Sequence, residues 1–452
     1  MVCLLLFLNY KPPKMKRYDK YKESSISWIG EIPEHWEEGA FGRYFSFGKG
    51  LSITKTDLQE EGIAVISYGQ IHSKLNTGTS IKEELVRKVA TDYLRTNSQS
   101  LLKLHDIVFA DTSEDLEGVG NNAYNNYIEP LFAGYHTIIA RPKGLPFPKY
   151  FAYLFQSRDW RKSVRSMVNG IKVYSVTKTI LKKSFLLLPP LSEQETIVAY
   201  LEEKVAQMDN LVANQEAQIA YLRELKQAII AKAVTRGINP EVPLRPSGIP
   251  WIGDIPEHWE VKRLGRCFGE NRLLNSDLEC TEAYKFNYGS LIRKDENITP
   301  QELVDTYMKY TLLRENDIVI NGLNLNYDFV SQRVAIAPQK GIITSAYLTL
   351  SPRKGINYNY YCLLFKAMDS MKLFHGMGAG IRLTLSYKDL KNQKLPLPPP
   401  SEQEAIVTYI NRKTEKIDRL IAMTEQEIAR VRELKQTLIA DAVTGRINVQ
   451  PS

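Results

Sequence analysis

Ser27–Trp36 reads SWIGEIPEHW and Pro250–Trp259 reads PWIGDIPEHW, an offset of 223 residues. A second pair follows. Leu188–Glu195 reads LPPLSEQE and Leu397–Glu404 reads LPPPSEQE, now at an offset of 209. That offset persists through Arg223–Gln227 and Arg432–Gln436, both Arg-Glu-Leu-Lys-Gln, and through Ala233–Thr235 and Ala442–Thr444. Self-similarity over so long a period means one structural plan used twice. The block between the landmarks is 14 residues shorter in the second copy.

Each copy closes on a segment with helical punctuation. Ser192 precedes Glu195 by three residues and Ser401 precedes Glu404 likewise, which predicts a capping box at each helix start. Gly237 and Gly445 follow the last periodic residues, as terminating glycines do. Between these marks Ile197, Leu201, Val205, Met208, Val212, Ile219, Leu222, Leu225 and Ile229 recur at spacings of three and four. Ile406, Ile410, Ile417, Ile421, Ile428, Val431, Leu434 and Leu438 repeat the stripe. No proline interrupts either segment, so each reads as an amphipathic helix. A helix of about 40 residues is roughly 60 Å long. It outruns a compact domain and needs a partner, of which the other copy's helix is the obvious one. Coiled-coil packing is the plainest use of the stripes. The helices would then hold two blocks at a fixed separation.

The expected organisation is an N-terminal extension 1–26, a first block 27–191, a helix 192–236, a linker 237–249, a second block 250–400, a helix 401–446 and a tail 447–452. The blocks are rich in Tyr, Asn, Ser and β-branched residues with frequent turn signals, which predicts α/β (α+β) domains with a substantial sheet. They share only short landmarks: Tyr68-Gly69 with Tyr288-Gly289, Asp106-Ile-Val with Asp317-Ile-Val, and Gly170-Ile-Lys with Gly380-Ile-Arg. Shared landmarks with divergent fill imply one fold carrying two different surfaces. At the N-terminus, Val2–Leu8 is too short to cross a bilayer and lacks the flanks of a signal peptide. Met15 reads as an ordinary start, so the residues before it are expected to come from an upstream start.

The chain has 452 residues, 43% of them hydrophobic and 24% charged, which fits a globular protein of two or more domains. Lys and Arg number 59 against 51 acidic residues, a net charge of +8, compatible with a polyanionic partner. Four cysteines without a CxxC pair or zinc spacing indicate neither a disulfide framework nor a metal site, and a reducing cytoplasm is the simplest compartment. The excess charge is unevenly placed. Ser192–Arg236 holds five basic and seven acidic residues, and Ser401–Arg446 eight of each. Arg158–Lys183 holds eight basic residues against Asp159 alone, and Lys366–Lys394 six against Asp369 and Asp389. One such run can be a solvated face; its recurrence at the same place in both copies points to phosphate contact. Around the glycine landmarks, side chains able to meet phosphates or base edges are Arg165, Asn169, Lys172, Tyr174, Thr177 and Lys178 in the first block. In the second they are Arg382, Thr384, Ser386 and Lys388.

Catalytic signatures are missing. No GxxxxGK[ST] loop for ATP is present, nor the Asn/Asp-Pro-Pro-aromatic motif of an amino-methyltransferase, nor a spaced carboxylate–lysine cluster for a nuclease. Gly118-Val-Gly120 and Gly376–Gly380 lack the strand–helix context of a cofactor loop. His35, His258, Trp36 and Trp259 stand without a second ligand and read as structural. No catalytic residue, metal or cofactor is therefore expected in this chain.

The paired W-I-G-[ED]-I-P-E-H-W segments, the paired L-P-[LP]-S-E-Q-E helix starts and the alternation of block and helix together resemble the specificity (S) subunit of type I restriction-modification systems, from about Met15 onward. The resemblance implies that each block is a target recognition domain reading one half of a bipartite double-stranded DNA site. It implies a pseudo-twofold arrangement in which the helices pair as an antiparallel coiled coil, fix the gap between half-sites and dock two methyltransferase (modification) subunits. Restriction subunits would add the motor and nuclease, with S-adenosylmethionine, ATP and magnesium bound by those partners, in the cytoplasm and away from any membrane. Two other readings are a coiled-coil scaffold without DNA reading and a self-contained restriction or methylation enzyme.

Overall fold

The structure, a computed structural model, describes residues 16–26, 29–168, 170, 173–294, 301–326, 332–378 and 383–450. The expectation for the residues before Met15 lies outside them. The chain divides into two units, Met1–Asn214 with Gln426–Ser452, and Gln215–Glu425.

The first unit is built on an antiparallel sheet of β1 (Phe45–Lys49), β2 (Ile107–Ala110), β3 (Asn122–Tyr124) and β4 (Thr137–Pro142), in the order β1-β4-β2-β3. Ile107, Val108, Phe109 and Ala110 are all buried because both faces of the sheet are covered. Successive side chains of a strand point to opposite faces. Ile107, Phe109, Ile138 and Ala140 accordingly join the cluster of Phe41, Phe45, Phe155 and Trp160, while Val108, Ala110 and Ile139 join that of Ile66, Ile71 and Leu131. Behind the first face lie α1 (Lys149–Gln156), whose Tyr150–Phe155 are all buried, α2 (Arg158–Arg165) and α3 (Lys178–Lys183). The long helix α4 (Leu191–Arg236) follows.

The second unit repeats the plan. β5 (Phe268–Glu270), β6 (Ile318–Ile320), β7 (Val334–Ile336) and β8 (Leu348–Pro352) pair antiparallel in the order β5-β8-β6-β7. Ile318 and Ile320 face the cluster with Tyr361 and Phe365, and Val319 faces the other way. α5 (Tyr358–Ser370) and α6 (Tyr387–Leu390) precede the second long helix, α7 (Pro400–Val443). The mixed α/β class and the repeated plan thus hold. The copies differ beyond the shared sheet. In the first unit Leu131–Ala133 pairs parallel to Ile63–Ile66, whereas in the second Thr311–Leu313 pairs antiparallel to Gly341–Ile343.

Asp106-Ile-Val and Asp317-Ile-Val are equivalent for a physical reason. Each Asp is buried at the mouth of the central strand and accepts the N–H three residues back, from Lys103 at 2.8 Å and Arg314 at 2.9 Å. Arg141 grips Asp106 from the side at 2.7 Å, while Asn271 and Ser351 bond Asp317. The Tyr-Gly landmarks are not equivalent. Tyr68-Gly69 opens a short helix after Ser67. Tyr288-Gly289, with φ of +40° and +81°, turns the hairpin between Tyr284–Asn287 and Ser290–Arg293.

The helix starts depart from the expected capping box. α4 and α7 begin at Leu191 and Pro400, so Ser192 and Ser401 lie within the first turn and not before it. The carbonyls of Pro190 and Pro399 receive the N–H groups of Glu193 and Gln194, and of Glu402 and Gln403, at 2.9–3.0 Å. Proline suits this place because a first-turn N–H is unneeded and its φ is already set. The carboxylates that act here are Glu193 and Glu402, not Glu195 and Glu404. Trp36 and His35 bond Glu193, joined by the Tyr18 hydroxyl at 2.8 Å; burial and that carboxylate push the Tyr18 phenol far above its usual range. Trp259 and His258 bond Glu402. The Glu-His-Trp repeat is therefore the socket for each helix start, and its His and Trp are structural.

Gly237 and Gly445 end the helices at φ +73°, as expected of left-handed terminators. Within the first unit Lys435 reaches Asp209 at 2.6 Å, and Leu438 and Ile439 pack in the cluster of Ile197 and Leu201. Within the second, Arg223 pairs with Glu425 and Lys226 with Asp418, while Ala233 and Val234 share a cluster with Ile406 and Ile410. Of the predicted stripe, Leu225 is the one exposed member. Among the described residues no helix is long and apolar enough to cross a membrane.

Candidate nucleic-acid interface

The basic run of the first unit is folded back against the end of β2. Tyr174–Ser175 pairs antiparallel with Thr112–Ser113, and the Val176 N–H bonds the Asp111 carbonyl at 2.8 Å. Beside this two-strand clip a cleft of about 440 Å³ is lined by Tyr68, His72, Ser113, Asp115, Glu117, Gly118 and Asn121. His72 has a fixed proton: its Nε2 faces the Thr112 carbonyl at 2.8 Å and must donate, leaving Nδ1 to accept from Asn121 at 2.9 Å. Tyr68 stands edge-on to His72, Tyr135 and His136, and His136 meets Asp111 at 3.2 Å. Donors, acceptors and aromatic edges thus converge at one strand end.

Two arginines of α2 reach this region. Arg165 pairs with Glu117 at 3.0 Å. Arg161 is held mostly out of water, and that desolvation, with Arg165 nearby, lowers its guanidinium to about 10. Its Nε and Nη2 have no hydrogen-bond partner among the described residues, a costly state for a buried cation that an incoming anion would relieve.

The second unit repeats the clip with other side chains. The Leu385 N–H bonds the Gly322 carbonyl at 2.9 Å, as Val176 bonds Asp111. A Cβ on Gly322 would fall 2.7 Å from the Leu385 carbonyl oxygen, so the close approach admits no side chain there. In place of His72 and Asn121, the buried Arg333 spans the carbonyls of Asn321 at 3.0 Å and Leu323 at 2.7 Å. Its backbone N–H bonds Asp369, whose carboxyl burial pushes upward.

Of the residues singled out by sequence, Arg165 and Tyr174 lie at the clip. Thr177 is the N-cap of α3, its hydroxyl accepting from the Ile180 N–H at 3.2 Å, and Lys178 opens that helix. Ser386 is the N-cap of α6, where its backbone N–H and its hydroxyl both donate to the Asp389 carboxylate, at 2.8 and 2.6 Å. Thr384 and Lys388 are exposed on either side of it. Asn169, Lys172 and Arg382 lie outside the described residues, as does the second Gly-Ile-Arg landmark. Sequence reasoning passed over His72, Asn121 and Arg333, which no repeat marks. It also passed over Arg43 and Arg266, although Phe41-Gly-Arg43 and Leu264-Gly-Arg266 continue the offset of 223. No group of three or more His, Cys, Asp or Glu able to hold a metal occurs among the described residues.

Comparison with known proteins finds the same doubled plan. The family model for the type I restriction modification DNA specificity domain matches residues 33–221 and again 256–433. The chain is 27% identical to the putative type I restriction enzyme MjaX specificity subunit of Methanocaldococcus jannaschii, over 100% of both chains. It is 24% identical to the EcoKI specificity subunit of Escherichia coli K12, over 93% of this chain and 91% of that one. A solved chain reported under "Structural basis underlying complex assembly and conformational transition of the type I R-M system" superposes with a TM-score of 0.65 at 17% identity. The superposition covers 92% of this chain and 99% of that one, a shared fold.

Proposed function

The chain belongs to the family of DNA specificity subunits of type I restriction-modification systems, and from that premise we infer that each unit reads one half of a bipartite double-stranded DNA target. It is a DNA-recognition subunit; the scaffold and self-contained-enzyme readings find no support. One observation carries the bipartite reading: two units with the same strand order build the same strand end from different side chains, His72 and Asn121 lining the cleft in one, the buried Arg333 holding the loop carbonyls in the other. Phosphate contacts position a protein on a duplex, and contacts to base edges specify the sequence.

The recognition domains on this reading are 27–191 and 250–400, with 192–236 and 401–446 as spacer helices. We propose that α4 and α7 pair as an antiparallel coiled coil. Support comes from ion pairs that run in opposite order along the two helices, Asp209 with Lys435 in one unit and Lys226 with Asp418 in the other. Such exposed pairs contribute little stability but report register. The helices then set the gap between half-sites and dock two methyltransferase subunits. Methyl transfer, ATP-driven movement and cleavage fall to partner subunits, which bind S-adenosylmethionine, ATP and magnesium, and the complex works in the cytoplasm.

The test is methylation mapping in cells with and without the gene. A divided motif, two short halves around a fixed gap, should appear only with it. An undivided motif, or an unchanged methylome, rejects the reading.

A further inference from the structure

At the other end of each four-stranded sheet from the clip, exposed cations gather that make no ion pair among the described residues. In the second unit a cleft of about 550 Å³ is lined by Arg263, Arg266, Arg353 and Lys391, together with Gly265 and Tyr387. All four cations are exposed, and none has an ion-pair partner among the described residues. Glycine makes the site. Gly265 donates its N–H to the Lys391 carbonyl at 3.0 Å, and a Cβ there would stand 3.2 Å from that oxygen. The Arg353 N–H bonds the Cys267 carbonyl at 2.9 Å, which brings the strand end beside the Gly-Arg turn.

The first unit has the same construction. Gly42 abuts Lys182 at the same virtual-Cβ distance of 3.2 Å, the Lys143 N–H bonds the Tyr44 carbonyl at 2.8 Å, and the Lys143 ammonium reaches the Gly42 carbonyl at 3.2 Å. Arg43, Lys143 and Lys182 thus stand where Arg266, Arg353 and Lys391 do, and all three are exposed. At the clip the two units differ; here they agree.

We propose that this cleft is a second DNA contact in each unit, holding backbone phosphates and reading no bases. The proposal rests on the DNA-recognition reading above. Unpaired cations of one sign fit a partner that carries regularly spaced negative charge, and releasing its counterions drives the contact. A protein partner fits less well, since interface centres are depleted in charge and rich in aromatic anchors. The aromatic here, Tyr387, has its hydroxyl committed to the Phe268 carbonyl at 2.9 Å. Distance also suits DNA. A strand of five or six residues spans about 17–20 Å, or roughly five to six base pairs at 3.4 Å each. A duplex that runs along the strands from the clip would reach the cleft within about half a turn. Recurrence with the same sign in both units, beside reading ends that differ, assigns the cleft to affinity and the clip to specificity.

The experiment uses the full chain assembled with its methyltransferase subunits. Arg266→Gln with Arg353→Gln is one variant, and Arg43→Gln with Lys182→Gln the second, all at exposed positions. Binding to a random-sequence duplex, and to a duplex carrying the mapped motif, is measured across salt concentrations. Each variant should bind both duplexes several-fold more weakly at low salt. The slope of log affinity against log salt should fall by about 0.9 for each phosphate no longer neutralised, with the methylated motif unchanged. An unchanged slope overturns the proposal, and so does an altered motif. Loss of assembly with the methyltransferase subunits at an unchanged slope would assign the cleft to a protein and overturn it equally. Failure of the recognition reading shows separately, as a wild-type complex that does not prefer the motif duplex.

Discussion

Trp36 donates its indole N–H to the Glu193 carboxylate at 3.0 Å, and Trp259 does the same to Glu402 at the same distance. Both indoles are almost fully buried, and both carboxylates sit three residues into a long helix. Each block thus holds its helix start through a charged hydrogen bond from a buried indole, alongside the neighbouring histidine. A hydrogen bond to a charged group contributes about 1.5–3 kcal/mol. Trp259→Phe, which keeps most of the packing, should lower stability by an amount in that range in chemical unfolding. Trp36→Phe should cost less, because Tyr18 and His35 remain on Glu193 while only His258 is shown to remain on Glu402. Equal or negligible losses would show that the sockets are held by packing alone.

The terminating glycines give an asymmetric pair. Both have φ of +73°, where any Cβ costs about 1–2 kcal/mol. A Cβ at Gly237 meets the Glu402 carboxylate tip at 3.1 Å, which a shift of a few tenths of an ångström (~0.3 Å) relieves, whereas one at Gly445 falls 2.5 Å from the Pro33 ring. Gly445→Ala should therefore reduce the melting temperature clearly more than Gly237→Ala. The reverse order would contradict the packing described for the first unit.

Thr177 and Ser386 have hydroxyls engaged in helix caps. Removing a cap costs about 1 kcal/mol, so Thr177→Ala and Ser386→Ala should each reduce stability by that order. The methylated motif should stay intact in both. A changed base preference in either variant would restore that residue as a reader.

The spacer role of α4 and α7 predicts a change confined to the gap. Four residues inserted in each helix add about one turn, or 5.4 Å, against 3.4 Å per base pair. The gap should grow by one or two base pairs with both half-sites unaltered. A constant gap, measured by methylation sequencing, would remove the helices as the ruler.

Much of this was legible in the chain because the second copy serves as a comparison for the first. The two offsets marked the blocks, and Asp106 and Asp317 proved to hold the same turn. The helix stripes and their glycine ends emerged as expected. The capping boxes did not: the helices begin at Leu191 and Pro400, so Ser192 and Ser401 fall inside the first turn, and it is Glu193 and Glu402 that meet the tryptophans. Tyr68-Gly69 and Tyr288-Gly289 matched as letters only; two residues carry too little information to distinguish a helix start from a hairpin turn. The reading ends were the least visible. His72, Asn121 and Arg333 lie far from the basic runs in sequence and reach the clip through sheet topology. Arg43, Lys143 and Lys182 likewise come from three separate segments, and only the fold brings them together.

The central claim is that the two units read separate half-sites. Replacing residues 27–191 with the corresponding block of another specificity subunit, and mapping methylation by sequencing, tests it most directly. The account predicts that one half of the motif changes to the donor's while the other half and the gap persist. A change in both halves, or in neither, would contradict it.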